Sequence, residues 1–265
     1  MDQTLAGQTA LVTGSTAGIG YSIAAALAKR GARTIVNGRT QKRVDDALKN
    51  LRGEIGAGAS LEGIAADVGN AAGVAKIVEK FPAVDILINN AGIFAVQPFL
   101  ESTDEEWSKF YEVNVLSGVR LSRAYLGGML KRNRGRVIFI SSESGVQIPV
   151  EMVHYGMTKS AQIAIGRGLA QMTAGTAVTV NSVLPGPTRS EGVGTFVADF
   201  AAKQGVTPEE FEKQFFRTAR PTSLLQRFIE PDEVAEVVAF VASPAAAAIN
   251  GAAVRAEGGV VLSAF

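Results

Sequence analysis

Thr9-Ala10-Leu11-Val12-Thr13-Gly14-Ser15-Thr16-Ala17-Gly18-Ile19-Gly20 is the stretch that decides the fold of this 265-residue chain. A β-branched apolar run, Thr9–Thr13, passes directly into a glycine-rich turn, and an Ala-rich helical stretch, Ile19–Arg30, follows at once. Gly14 permits a sharp exit from the strand, Gly18 keeps side chains away from a closely approaching ligand, and Gly20 lets helix and sheet pack tightly. Free N–H groups and the positive end of the helix dipole then face an anion, with Ser15, Thr16 and Ile19 completing the cradle. Any tight strand-to-helix turn favours glycine, so the turn takes its meaning from heading a strand–helix–strand unit.

Working outward, the same rhythm repeats. Further strands are expected at Arg33–Asn37, Leu61–Ala65, Asp85–Asn89, Arg136–Ser141, Ala177–Leu184 and Ala252–Arg255, separated by stretches of helical periodicity such as Gln41–Leu51 and Pro231–Val241. Apolar strands alternating with helices imply a doubly wound α/β fold: one parallel sheet of about seven strands with helices on both faces and ligands beyond the carboxyl ends of the strands. Nothing marks a linker, so residues 1–265 are expected to form one domain. A 47% hydrophobic and 19% charged composition is ample for its core.

The second strand should end at Asn37-Gly38-Arg39-Thr40. A carboxylate there would grip the adenosine ribose of NAD(H); instead Gly38 leaves room and Arg39 offers a guanidinium suited to a 2′-phosphate, which favours NADP(H) over NAD(H). A solvated surface arginine is the plainer alternative. Asp67-Val68 closes the third strand, where a carboxylate and an apolar neighbour suit an adenine edge. Asn89-Asn90-Ala91-Gly92 closes the fourth; buried amides need partners, so these fix loops beside the ligand or serve structure alone.

Tyr155 and Lys159 stand four apart on an expected helix and so share a face. A phenol with a pKa near about 10 exchanges protons poorly at neutral pH. An ammonium about 4–5 Å away, at an effective dielectric of ~20, would favour the phenolate by roughly 3–4 kcal/mol, or two to three pKa units. Such a spacing arises readily by chance. Position adds to it: Ser142 follows a strand on the ligand side and can donate to a substrate oxygen, while Ser141 should point to the other face. His154 reads as a packing or rim residue. Glu143 either meets a polar substrate group or caps the following turn. Lys131–Arg136 reads as a solvated helix end.

In this order the residues resemble the short-chain dehydrogenase/reductase family. The match runs through Thr13-Gly14…Gly18-Ile19-Gly20, Asp67, Asn89-Asn90-Ala91-Gly92, Asn114, Ser142, Tyr155-Gly156-Met157-Thr158-Lys159 and Asn181…Pro185-Gly186-Pro187-Thr188. The resemblance implies that Tyr155 is the acid/base, that Ser142 orients the carbonyl, and that Lys159 lowers the phenol's pKa and reaches the nicotinamide ribose. It also implies that Asn114 holds a proton-relaying water and that Pro185, Gly186 and Thr188 border the nicotinamide. Arg39 stands where NADP-preferring members carry a basic residue. The expected activity is hydride transfer between NADP(H) and a carbonyl or secondary alcohol.

Residues 188–228 break the rhythm and hold six of the 13 phenylalanines: Phe196, Phe200, Phe211, Phe215, Phe216 and Phe228. A lid over a partly apolar pocket is expected there, with a protein–protein surface as the alternative; Gly145–Val153 and Phe94-Ala95-Val96 would complete the pocket. A 3-oxoacyl reductase of the fatty-acid type is the nearest rival activity. Thr176 replaces the arginine used there to dock an acidic carrier, which weakens that version. A regulator that keeps the fold without chemistry would be expected to lose Tyr155, Lys159 or Ser142. The resemblance further suggests a homotetramer or dimer. A net charge of +1 gives no reason for a nucleic-acid partner, and no apolar run approaches the ~20 residues of a membrane span. Met1-Asp2-Gln3 shows no signal-peptide pattern, and the absence of cysteine excludes disulfides and suits a cytoplasmic protein. A single histidine argues against a metal site.

Overall fold

The computed structural model describes residues 3–56 and 58–264; Met1, Asp2 and the side chain of Phe196 lie outside the described residues. The strands are β1 (Thr9–Val12), β2 (Arg33–Gly38), β3 (Leu61–Ala65), β4 (Ile86–Asn89), β5 (Gly135–Ile140), β6 (Val178–Pro185) and β7 (Ala253–Ala256). Each expected strand is present. The α-helices are α1 (Gly18–Lys29), α2 (Gln41–Ile55), α3 (Ala71–Lys80), α4 (Asp104–Tyr111), α5 (Ser117–Lys131), α6 (Val153–Gln171), α7 (Glu191–Gln204), α8 (Pro208–Thr218) and α9 (Pro231–Ala242).

All pairings between these strands are parallel, in the order β3-β2-β1-β4-β5-β6-β7. Successive side chains of a strand face opposite sides. Ala10, Val12, Ile86, Ile88, Ile138 and Ile140 pack with α1, α2 and α9 in one cluster. Leu11, Leu87, Val137 and Phe139 pack with α3, α5 and α6 in the other. Burial on both faces is why the strands read as unbroken apolar runs.

β1 pairs with both β2 and β4, Val12 standing between Val36 and Ile88. From β1 the chain winds outward to β3, then returns to β4 on the other side. The loops after β1 and β4 therefore diverge, and a crevice opens at the carboxyl edge between them.

Two features were not legible beforehand. A π-helical stretch, Glu112–Leu116, joins α4 to α5 and carries Asn114, which is buried. Such irregular turns recur at functional sites. The basic run 131–136 is also more than a solvated helix end. Arg134 pairs with Asp85 at 2.9 Å and Arg132 donates to the Val84 carbonyl at 3.0 Å, tying α5 to the amino edge of the sheet.

Residues 188–228 form α7 and α8 around a small core of their own. Phe211, Phe216 and Phe228 are buried there with Val197 and Ala201, and Phe200 and Phe215 pack against them. These five phenylalanines hold the segment together instead of lining a pocket. Capping at Thr207, whose hydroxyl accepts from Glu210 N while Glu210 reaches back, fixes the start of α8.

Candidate active site

At the cradle, Gly14 and Gly18 adopt the left-handed φ values of 60° and 55° that favour glycine. A Cβ on Gly14 would come within 3.0 Å of Ala91 Cα, and one on Gly20 within 2.4 Å of both Asn90 Nδ2 and Gly14 O. Helices α2, α3, α4, α7 and α8 have side-chain caps, but Ala17 offers α1 none. The first N–H groups of α1, on Gly18, Ile19 and Gly20, have no intrahelical acceptor. A bare, uncapped helix start facing the crevice fits a dinucleotide pyrophosphate.

Ser15 departs from its expected place as a cofactor contact. It is fully buried, its hydroxyl donates to Val12 O at 2.7 Å, and its N–H donates to Asn37 O at 2.9 Å. It shapes the loop and offers the crevice no free donor. The space at Gly38 is filled by the Thr16 methyl, 2.4 Å from where a Cβ would stand. Arg39 is exposed and has no ion pair among the described residues, whereas Arg43 is engaged by Glu191 at 2.7 Å. Asp67 is exposed at the end of β3, accepting from Gly69 N at 2.9 Å, while Val68 is buried in the core.

The loop after β4 locks this cradle to the rest of the site. Thr13 Oγ1 accepts from Asn90 N and Ala91 N at 2.9 and 3.0 Å, and Asn90 Nδ2 donates to the carbonyls of Thr13 and Gly14. Asn90 is thus a clamp on the cradle. Asn89 donates to Ser122 Oγ at 3.2 Å, away from the crevice. Gly92 follows; a Cβ there would sit 3.3 Å from Asn114 Oδ1 and 3.6 Å from Lys159 Nζ. Cradle, loop and Lys159 are contiguous.

Ser142, Tyr155 and Lys159 converge at this edge. The Lys159 ammonium lies 5.5 Å from the centre of the Tyr155 ring, and Ser142 is near enough to the phenol to lower its pKa. Ser142 Oγ also accepts from Ser144 N at 3.1 Å and donates to Glu143 at 3.3 Å. Ser141 turns away, donating to Lys159 O at 2.8 Å. Lys159 Nζ donates to Ile140 O at 2.9 Å and to Gln162 Oε1 at 3.1 Å.

The expected depression of the Tyr155 pKa is absent. Burial raises it well above the usual phenol value; the Ser142 hydrogen bond and the Arg220 charge oppose this, and the Glu143 charge adds to it. Burial likewise works against the Lys159 ammonium, pushing its pKa down to about 7. The desolvation of two groups outweighs the attraction that spacing alone suggested.

Asn114 uses its side chain on backbone and hydroxyl partners. Oδ1 accepts from Ile93 N at 2.7 Å; Nδ2 donates to Ile93 O at 2.9 Å and Thr158 Oγ1 at 3.0 Å. At the other flank, Thr188 Oγ1 donates to Gly186 O at 2.9 Å, and Gly186 N donates to Ala256 O at 3.1 Å after Pro185 ends β6. A Cβ on Gly186 would strike the Glu257 carbonyl at 2.5 Å. His154 is buried edge-on against Phe110, with ring centres 4.1 Å apart, a packing residue as expected.

Gln162 and Arg220 escaped sequence reasoning as individual residues, while Glu151 falls in the expected pocket stretch 145–153. Glu143 Oε1 accepts from Arg220 Nε at 2.9 Å, and Arg220 Nη1 lies 3.5 Å from Glu151. Arg220 borders a cavity of about 470 Å³ lined also by Gln147–Glu151, Thr218 and Ala219. Ile148 and Val150 give it an exposed apolar rim, and Phe94 stands edge-on to Tyr155 at 6.4 Å. A polar residue one turn after Lys159 was the signal available for Gln162; Arg220 gave none, being 77 residues from Glu143.

Residues 8–200 match the family model described as short chain dehydrogenase. The chain is 46% identical to the uncharacterized oxidoreductase YvaG of Bacillus subtilis over the full length of both. It is 33% identical to the 3-oxoacyl-[acyl-carrier-protein] reductase FabG of Vibrio cholerae, across 97% of this chain and 99% of that one. Among solved structures, L-sorbose reductase from Gluconobacter frateurii, complexed with NADPH and L-sorbose, aligns with a TM-score of 0.91 at 28% identity, covering 99% of this chain and 100% of the other. With the fold, the cradle and the Ser142–Tyr155–Lys159 cluster in place, the chain belongs to the short-chain dehydrogenase/reductase family of oxidoreductases.

Proposed function

We propose that this enzyme transfers a hydride between NADP(H), in preference to NAD(H), and the carbonyl or secondary alcohol of a small, partly apolar substrate. The convergence of Ser142, Tyr155 and Lys159 beside the Gly14–Gly20 cradle carries this reading. The dinucleotide, when bound, supplies or accepts the hydride. The uncapped start of α1 would hold its pyrophosphate, Arg39 its 2′-phosphate, Asp67 and Val68 its adenine edge, and Pro185, Gly186 and Thr188 would border the nicotinamide.

In the reducing direction the Tyr155 phenol donates its proton to the substrate oxygen while Ser142 holds that oxygen by a hydrogen bond. In oxidation Tyr155 takes the proton back. Burial moves the phenol pKa away from the working range, so proton donation relies on Ser142 and the Lys159 charge to offset that burial. Lys159 anchors the nicotinamide ribose, and Asn114 fixes the backbone around it. The apolar rim of Phe94, Ile148 and Val150 favours a partly apolar molecule, and residues 188–228 close over it as a lid. We take the enzyme to be cytoplasmic, which its cysteine-free composition suits, and a homo-oligomer, dimer or tetramer, which the family resemblance suggests.

The test is oxidation of NADPH and NADH against ketones, diketones, 3-oxoacyl thioesters and ketoses, with Arg39→Ser alongside. Turnover should favour NADPH. Loss of charge-assisted hydrogen bonds to a phosphate should raise KM for NADPH about tenfold or more in Arg39→Ser and leave KM for NADH unchanged. Equal effects on both cofactors would remove the role given to Arg39. Turnover confined to 3-oxoacyl thioesters would favour the fatty-acid type of reductase, to which the relative in Vibrio cholerae belongs by name.

A further inference from the structure

Gln162 lies three residues after Lys159 on α6, on the same face of the helix, and is almost wholly buried. A buried primary amide is costly unless its donors and acceptor are engaged. Here they are: Oε1 accepts from Lys159 Nζ at 3.1 Å, and Nε2 donates to the backbone carbonyl of Asn114 at 2.6 Å. We propose that Gln162 is the positioning residue of this enzyme, tying the Lys159 ammonium directly to the Asn114 carbonyl and holding it in place and charged beside Tyr155.

The orientation of the amide is forced. A backbone carbonyl only accepts and an ammonium only donates, so Nε2 must face Asn114 and Oε1 must face Lys159. The negative end of the amide dipole is therefore aimed at the ammonium, which stabilises its charged form against burial. The residue that carries this carbonyl is itself tied down by its side chain. The Asn114 side chain is held by Ile93 and by Thr158, and Thr158 Oγ1 donates to Tyr155 O at 2.7 Å. Thr158, Lys159 and Gln162 on α6 and Asn114 in the π-helical stretch form one closed network, with two of the three Lys159 protons spent on Ile140 and Gln162.

Where the family resemblance puts a water between Lys159 and Asn114, this chain has a side-chain amide joining them. An amide has no proton to exchange readily, so Gln162 fixes Lys159 without relaying protons. The titratable and charged groups near the pair are Tyr155 on α6, Glu143 after β5 and Arg220 after α8; the latter two act on Tyr155. The elements carrying Asn114 and Asn90–Ile93 present amides and backbone to Lys159.

This rests on Tyr155 and Lys159 being the reacting pair, so the readout is independent of turnover. In the full chain with 13C-labelled lysine, the NMR titration of Lys159 is assigned by its absence in Lys159→Arg. Gln162→Met and Gln162→Leu remove the dipole while keeping bulk; Gln162→Glu keeps an acceptor toward Lys159. The Lys159 midpoint should fall by about one pH unit in the Met and Leu variants and stay at or above the parent's in Glu. In parallel, kcat should fall in Met and Leu, and Glu should restore it. An unmoved midpoint in a folded Met or Leu variant, or a Glu midpoint falling with theirs, overturns the proposal. Failure of the parent to oxidise NADPH with any carbonyl would instead sink the redox reading and leave the titration result standing.

Discussion

Tyr155 and Lys159 are two groups whose burial works against their ionisation. The phenol is driven up and the ammonium down to about 7 from its ordinary 10.5. A depressed lysine has a stability consequence with a definite sign. Below pH 7 both the folded and unfolded chains carry the proton, so Lys159 adds no slope. Between about 7 and 10.5 the unfolded chain still holds a proton that the folded chain has released, so folding stability rises with pH across that window. Urea denaturation of the parent and Lys159→Met from pH 6 to pH 10 should show the parent gaining on the variant above pH 7; two parallel curves would contradict the buried-ammonium reading. At this scale the sequence was legible where order and spacing carry meaning, as for Ser142, Tyr155 and Lys159. It was opaque where the environment decides. Ser15 looks like a phosphate ligand until β2 is placed beside it, and the sign of the Tyr155 shift depends on desolvation that no spacing reveals.

Strands announce themselves because both faces of the sheet are buried, and the periodicity of Val, Ile and Leu in β1, β4 and β5 leaves little choice. The 188–228 segment does not. Its phenylalanines advertise an apolar pocket, but Phe200, Phe211, Phe215, Phe216 and Phe228 pack on one another as a private core, with Phe215 stacked on Phe228 at 5.3 Å. What ties this segment to the loop after β5 is polar: Arg220 reaches Glu143, the residue after Ser142. Both are largely buried, so removing one partner strands a charge, at a cost of about 3 kcal/mol or more. Arg220→Ala should speed amide hydrogen exchange in α7 and α8 well before it affects β1 or β4, and should raise KM for the carbonyl substrate. Exchange unchanged in 191–218 would mean that the private core alone seats the segment. The pair joins residues distant in sequence, which is why no local pattern disclosed it.

Across the molecule, the sheet order does the gathering. Because the strands are added on one side of β1 up to β3 and on the other side from β4, the cradle after β1 and the loop after β4 open toward one crevice, and Thr13 and Asn90 bolt the two together. β5 then delivers Ser142, and α6 packs against its end to bring in Tyr155 and Lys159. The topology was readable from the alternation of strands and helices; the convergence needed the π-helical stretch and the Gln162 network, which lie outside regular periodicity. The claim on which the account depends is that Tyr155 is the proton donor beside a bound nicotinamide. Its most direct test is NADPH binding and single-substrate turnover measured together in the parent and Tyr155→Phe. The variant should bind NADPH as tightly as the parent and turn over about 10²–10⁴-fold more slowly. Undiminished turnover in Tyr155→Phe would contradict the account.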